Sequence, residues 1–87
     1  MTEGTLKYIY NRGTRDARGQ VWGRIELDNG DIIEFSQKHV DPELRKIEGL
    51  NKFTADKMKK WRGTTMVFEM VGAEGGEIAK GTLRRKG

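Results

Sequence analysis

The chain has 87 residues, enough for one small domain whose core must be economical, because a short chain buries a limited share of its surface. It has no cysteine, which excludes a disulfide framework, a cysteine-based zinc site and a thiol nucleophile, and no apolar run reaches the ~20 residues of a membrane-spanning helix. A net charge of +4 keeps anionic partners open and weighs against a nucleic-acid mimic, which needs clustered acids.

Met1-Thr2-Glu3-Gly4 carries no apolar signal region, so a cytoplasmic location without a membrane partner is the expectation. Thr5–Tyr10 (TLKYIY) has the β-branched and aromatic content of a strand. Asn11–Gly19 (NRGTRDARG) reads as a polar turn or hairpin connection. From Gln20 to Leu27 the residues alternate, with Val21, Gly23, Ile25 and Leu27 on one face and Gln20, Trp22, Arg24 and Glu26 on the other. That alternation makes Trp22 and Arg24 neighbours on the polar face. Asn29-Gly30 is the strongest hairpin signal in the chain, and Ile32–Phe35 follows as a third strand.

The period then changes. Asp41-Pro42-Glu43 places a capping side chain before a proline at the first helical position and an acid in the first turn. This predicts a short helix through Glu48 with Leu44 and Ile47 on its buried side and Gly49 ending it. Thr54 is placed to cap a second piece over Ala55–Trp61, where Met58 and Trp61 share a face among Lys57, Lys59 and Lys60. Alternation resumes in Thr65–Val71 with Met66, Phe68 and Met70 inward. After a turn over 72–76, Glu77–Leu83 reads as the last strand, with Ala79 and Leu83 inward, followed by a basic tail at 84–87. The expectation is a single domain over 1–87, mainly β: a small five-stranded antiparallel barrel resembling the OB-fold, with a helical insert at 37–62 between strands 3 and 4.

Charge is unevenly spread. Residues 1–37 hold five Lys/Arg against six Asp/Glu, residues 38–62 eight against four, and residues 63–87 four against three. The insert therefore carries the excess, which either attracts phosphates or forms a solvated helical surface.

Several segments resemble the cold-shock domain family. Gly4-Thr5-Leu6-Lys7-Tyr8-Ile9-Tyr10-Asn11 is similar to its opening strand, and Trp22-Gly23-Arg24-Ile25-Glu26 to its aromatic-Gly-aromatic-Ile motif, which follows a Lys-Gly or Arg-Gly pair, here Arg18-Gly19. Asp31–Ser36 falls where the family has its second nucleic-acid motif. Met66–Met70 and Gly75–Ala79 are similar to its closing strands. The resemblance leaves out the connection after Arg12 and residues 37–62.

The resemblance implies that Tyr8 and Trp22 stack on bases, with Arg24 standing where a second exposed aromatic is expected. A guanidinium can also stack on a base or reach a phosphate. Lys7, Arg18, Arg24 and Lys38 are the candidate phosphate contacts. Phe35 is a further candidate, but its register stays open: anchoring the third strand on Asp31 points Ile33 and Phe35 outward, and a one-residue slip reverses every face. In the first strand, strict alternation puts Leu6 and Tyr8 together, whereas the resemblance implies a buried Leu6 beside an accessible Lys7 and Tyr8; a bulge reconciles the two. Each residue also has a plainer reading. Trp22 can pack on the insert, Trp61 can anchor the second helical piece, and Arg12, Arg15 and Arg18 can be solubilising charge.

Catalysis has little support. His39 is the only histidine and reads as a surface or capping residue, Ser36 lacks a nucleophile-elbow context, and no metal-ligand spacing or phosphate-binding glycine loop occurs. No catalytic residue, metal or cofactor is expected. The leading expectation is single-stranded RNA or DNA binding with low sequence specificity. The alternative is a protein-interaction or homodimer module in which the insert residues Leu44, Ile47, Leu50, Phe53, Met58 and Trp61 form the contact.

Overall fold

The computed structural model describes residues 2–16, 19–50, 55–72 and 76–86. In chain order they form β1 (Thr2–Asp16), β2 (Gly19–Leu27), β3 (Ile32–Phe35), α1 (Pro42–Glu48), β4 (Thr65–Phe68), β5 (Met70–Val71), β6 (Glu77–Ile78) and β7 (Arg84–Arg85). Short 3-10 segments at Gln37–His39 and Ala55–Trp61 flank α1. The fold is mainly β, with the helical insert between β3 and β4 as expected. No described helix is long and apolar enough to cross a membrane.

Local chemistry explains the turns and caps. At the β2–β3 hairpin Gly30 takes a φ of 92°, and the Asp31 N–H donates to the Asn29 side-chain oxygen at 2.9 Å. Asp41 accepts from the Glu43 N–H at 2.8 Å to start α1, and Gly49 ends it in the left-handed region at a φ of 67°.

The main sheet is antiparallel in the order β3-β2-β1-β4-β7, while β5 and β6 form a separate ladder. β3 and β7 lie at its two edges with no ladder between them among the described residues, so the hydrogen-bonded sheet is not the closed barrel expected. One parallel bridge, Val40 with Leu83, links the segment after β3 to the one before β7. It uses the Asp41 N–H to Leu83 C=O bond (2.9 Å) and the Leu83 N–H to His39 C=O bond (2.8 Å).

Leu6, Ile25, Met66 and Phe68 fill the inner side of the sheet and are fully buried. The insert covers them with Leu50, Ala55, Met58 and Trp61, so most of its apolar residues belong to the core. Phe53 and Thr54 lie outside the described residues.

Four expectations are corrected. The β1–β2 ladder continues through Thr14–Val21, Arg15–Gln20 and Asp16–Gly19, where the sequence reads as a polar connection. A ladder is made by backbone groups, so polar residues can carry it. The strand expected over Thr65–Val71 divides at Glu69, whose C=O accepts from Ala79 and whose N–H donates to the Thr82 hydroxyl; the chain changes pairing partner there. Arg84 and Arg85 are an edge strand rather than part of a tail, because an edge accommodates charged side chains. Finally, α1 buries no residue. Leu44 is half-buried and packs against the core as expected, but Ile47 is 76% exposed, since no described element packs over that side of α1.

Candidate nucleic-acid interface

The outer face of β1, β2 and β3 is built by a bulge. Leu6 pairs with Ile25 and Tyr8 with Arg24, so Lys7 is an extra residue in β1. The bulge lets Lys7 and Tyr8 both face solvent between the buried Leu6 and Ile9, as the reconciled reading of this strand expects. Tyr10 lies two residues further along, and its ring meets that of Tyr8 edge-on with centroids 4.9 Å apart.

Across the ladder, the Arg24 guanidinium lies 5.7 Å from the Tyr10 ring centroid. It also lies 3.7 Å from the Glu34 carboxylate on β3. Lys7 pairs with Glu26 at 3.3 Å. Two cations thus face two carboxylates across the strands, and the face is close to neutral. Exposed pairs of this kind contribute about 0–1 kcal/mol each, so a phosphate can displace either carboxylate.

Tyr8, Arg24 and Lys7 are therefore brought together, with Tyr10 as the residue that sequence reasoning missed. Its signal is the two-residue spacing from Tyr8 on one strand. Trp22 is a correction. Its side chain is fully buried, because β1 advances from Ile9 to Thr14 while β2 advances only from Gly23 to Val21. Four β1 residues oppose Trp22 alone, and this break resets its direction toward the core. Phe35 is a second correction. It pairs with Gly23 and is buried at 1% exposure. A Cβ at position 23 would collide with the Tyr8 C=O and lie 2.9 Å from the Phe35 ring and the Ile9 side chain, so the glycine allows the close approach of β1 as well as the inward ring.

Lys38 is exposed on the 3-10 turn after β3, and its C=O accepts from the Gly81 N–H at 2.9 Å; no contact joins it to Tyr8, Tyr10 or Arg24 among the described residues. Arg18 lies outside the described residues, as do the side chains of Arg12 and Arg15. Trp61 is buried and anchors the second helical piece, with the Arg85 guanidinium 4.5 Å from its ring centroid.

His39 is buried, and its Nδ1 accepts from the Ser36 N–H at 2.9 Å, which caps the 3-10 turn and assigns the proton to Nε2. Nε2 lies 3.9 Å from the Glu77 carboxylate. Burial holds the imidazole pKa below its ordinary 6.5, and the Lys38 charge adds to this while Glu77 opposes it. Among the described residues no group of three His, Asp or Glu is placed to hold a metal ion. Comparison of the chain with protein-family models, curated proteins and solved structures gives no significant match.

Proposed function

We propose that this chain is an OB-fold-like domain, similar to cold-shock domains, that binds single-stranded RNA or DNA with low sequence specificity on the outer face of β1–β3. The observation that carries this reading is the exposed Tyr8 ring, with the half-buried Tyr10 ring packed edge-on against it and Arg24 beside them. Aromatic rings accept any base by stacking, at about 1–3 kcal/mol per base when measured by truncation. Arg24 contributes either by stacking its planar guanidinium or by exchanging Glu34 for a phosphate. With Trp22 and Phe35 in the core, the face offers one exposed ring, Tyr8, and one half-buried ring, Tyr10, which favours modest affinity and little base discrimination.

The test is fluorescence anisotropy of labelled oligo-dT and oligo-U with the wild type and the Tyr8→Ala/Tyr10→Ala double variant. The expected result is a loss of about 10–100-fold in affinity, corresponding to the removal of one or two stacks. A folded double variant that binds both oligomers unchanged would sink the reading. The alternative, a protein or homodimer contact on the insert, has Ile47 as its one strongly exposed apolar side chain among the described residues, because Leu50, Met58 and Trp61 are buried. A single exposed isoleucine is ordinary on a protein surface.

A further inference from the structure

The helical insert and β7 form a second surface of opposite character to the tyrosine face. Residues 42–48, 55–62 and 84–86 contain nine Lys/Arg against three Asp/Glu. The three segments converge on Glu48, which holds Lys60 at 3.1 Å through one oxygen and Arg85 at 2.9 Å through the other. Lys57 joins them through the Gly49 C=O at 3.3 Å. Glu48 is thus shared between two cations. Lys86 is matched by Glu3 at 3.2 Å, whereas Arg62 and Arg84 are exposed and make no ion pair among the described residues.

This surface lies next to the tyrosine face. The Gly63 N–H donates to the Leu6 C=O at 2.8 Å, and the Leu6 N–H donates to the Thr64 C=O at 3.0 Å. Arg62 is therefore adjacent in sequence to a residue bonded to β1 immediately before the Lys7–Tyr8 bulge. Thr64 in turn lines a groove between α1 and β7 whose β7 wall is Arg84, Arg85 and Lys86 and whose α1 wall carries Asp41 and Glu43 beside Leu44 and Ile47, so the cations lie on the β7 side.

We infer that the sugar-phosphate backbone of a single strand seated on Tyr8 and Tyr10 continues past Arg62 onto the insert–β7 surface, with Lys57, Arg62 and Arg84 contacting its phosphates. The inference rests on the function proposed above and assigns the electrostatic part of binding to a region that carries none of the stacking. An acidic peptide is the competing occupant. The geometry favours a polyanion because Trp61 lies under Arg85 and, among the described residues, only Leu44 and Ile47 line the groove as apolar contacts, too few to anchor a protein interface.

The experiment compares a four-nucleotide and a twelve-nucleotide labelled oligo-dT across a salt series, using wild type, Lys57→Gln/Arg62→Gln/Arg84→Gln and the charge-conserving Lys57→Arg/Arg62→Lys/Arg84→Lys. For the long oligomer, the Gln variant is expected to reduce the slope of log K against log salt by about 2, at roughly 0.7 for each single-strand phosphate that is no longer neutralised. The short oligomer should bind within about twofold of wild type, and the charge-conserving variant should keep the wild-type slope. An unchanged slope in a folded Gln variant overturns the inference while leaving the tyrosine reading intact if Tyr8→Ala/Tyr10→Ala still weakens binding. Loss of poly-glutamate binding with retained oligonucleotide binding also overturns it, in favour of a peptide partner. Failure of the wild type to bind either oligomer removes both readings.

Discussion

The tyrosine face and the insert–β7 surface differ in how their charges are arranged. On β1–β3, Lys7 and Arg24 each meet a carboxylate on the neighbouring strand, so the face is aromatic and nearly neutral. On the insert, one carboxylate is divided between Lys60 and Arg85, while Trp61, the aromatic residue there among the described residues, is buried. Accessible aromatic surface and excess positive charge are thus separated in space among the described residues. Exposed cross-strand pairs cancel locally, but a helical segment with excess Lys and Arg cannot cancel its charge with the acids it holds.

The comparison breaks most visibly at Trp22, which belongs to neither surface. Trp22→Ala is expected to cost about 3–5 kcal/mol of stability, as for large-to-small changes in a packed core. Chemical denaturation reads this directly. A stable Trp22→Ala protein with weakened oligonucleotide binding would return Trp22 to the binding face and undo the division.

A smaller effect is expected at His39, which joins the β3 edge to the segment before β7. Folding favours the neutral imidazole, so its contribution to stability is fully present above about pH 6.5. It is lost as pH falls from there through the lowered folded pKa, since the unfolded chain binds the proton more readily. Protonation would also place a proton on Nδ1, which accepts from the Ser36 N–H. Denaturant midpoints should therefore fall between about pH 7.5 and pH 5 in the wild type and fall less in His39→Gln. Equal slopes in the two proteins would remove His39 as the cause.

The smallest effect is expected for Glu48→Gln. Its two exposed partners make each ion pair worth about 1 kcal/mol or less, so stability should change little. Oligonucleotide affinity at low salt should rise by about two- to threefold, because a competing negative charge is gone from the basic surface. A fall in affinity would mean that Glu48 positions Arg85 rather than screening it.

Parts of both surfaces are legible in the sequence. Tyr8, Lys7 and Arg24 follow from the opening strand and the motif at Trp22–Glu26, and the need for a bulge at Lys7 follows from the conflict over Leu6. Regular alternation misdirects Trp22, while the face of Phe35 stays open because alternation alone does not fix the register of the third strand. Arg84 and Arg85 read as a tail because two charged residues carry no strand periodicity. Ile47 reads as buried because its spacing from Leu44 is helical, although that spacing does not say whether another element approaches the helix.

Neighbouring residues suffice to set the hairpin at Asn29-Gly30, the start of α1 at Asp41 and its end at Gly49, and alternation and composition suffice for the inward Met66 and Phe68 and the excess charge of the insert. The turns and caps depend on backbone conformation and short-range hydrogen bonds that a few adjacent side chains supply. The burial of Trp22 and Phe35, the exposure of Ile47, the pairing of β7 and the open edge between β3 and β7 come from the folded arrangement alone. Each depends on register or on packing between segments distant in the chain, and a single break in a ladder changes which side a residue faces.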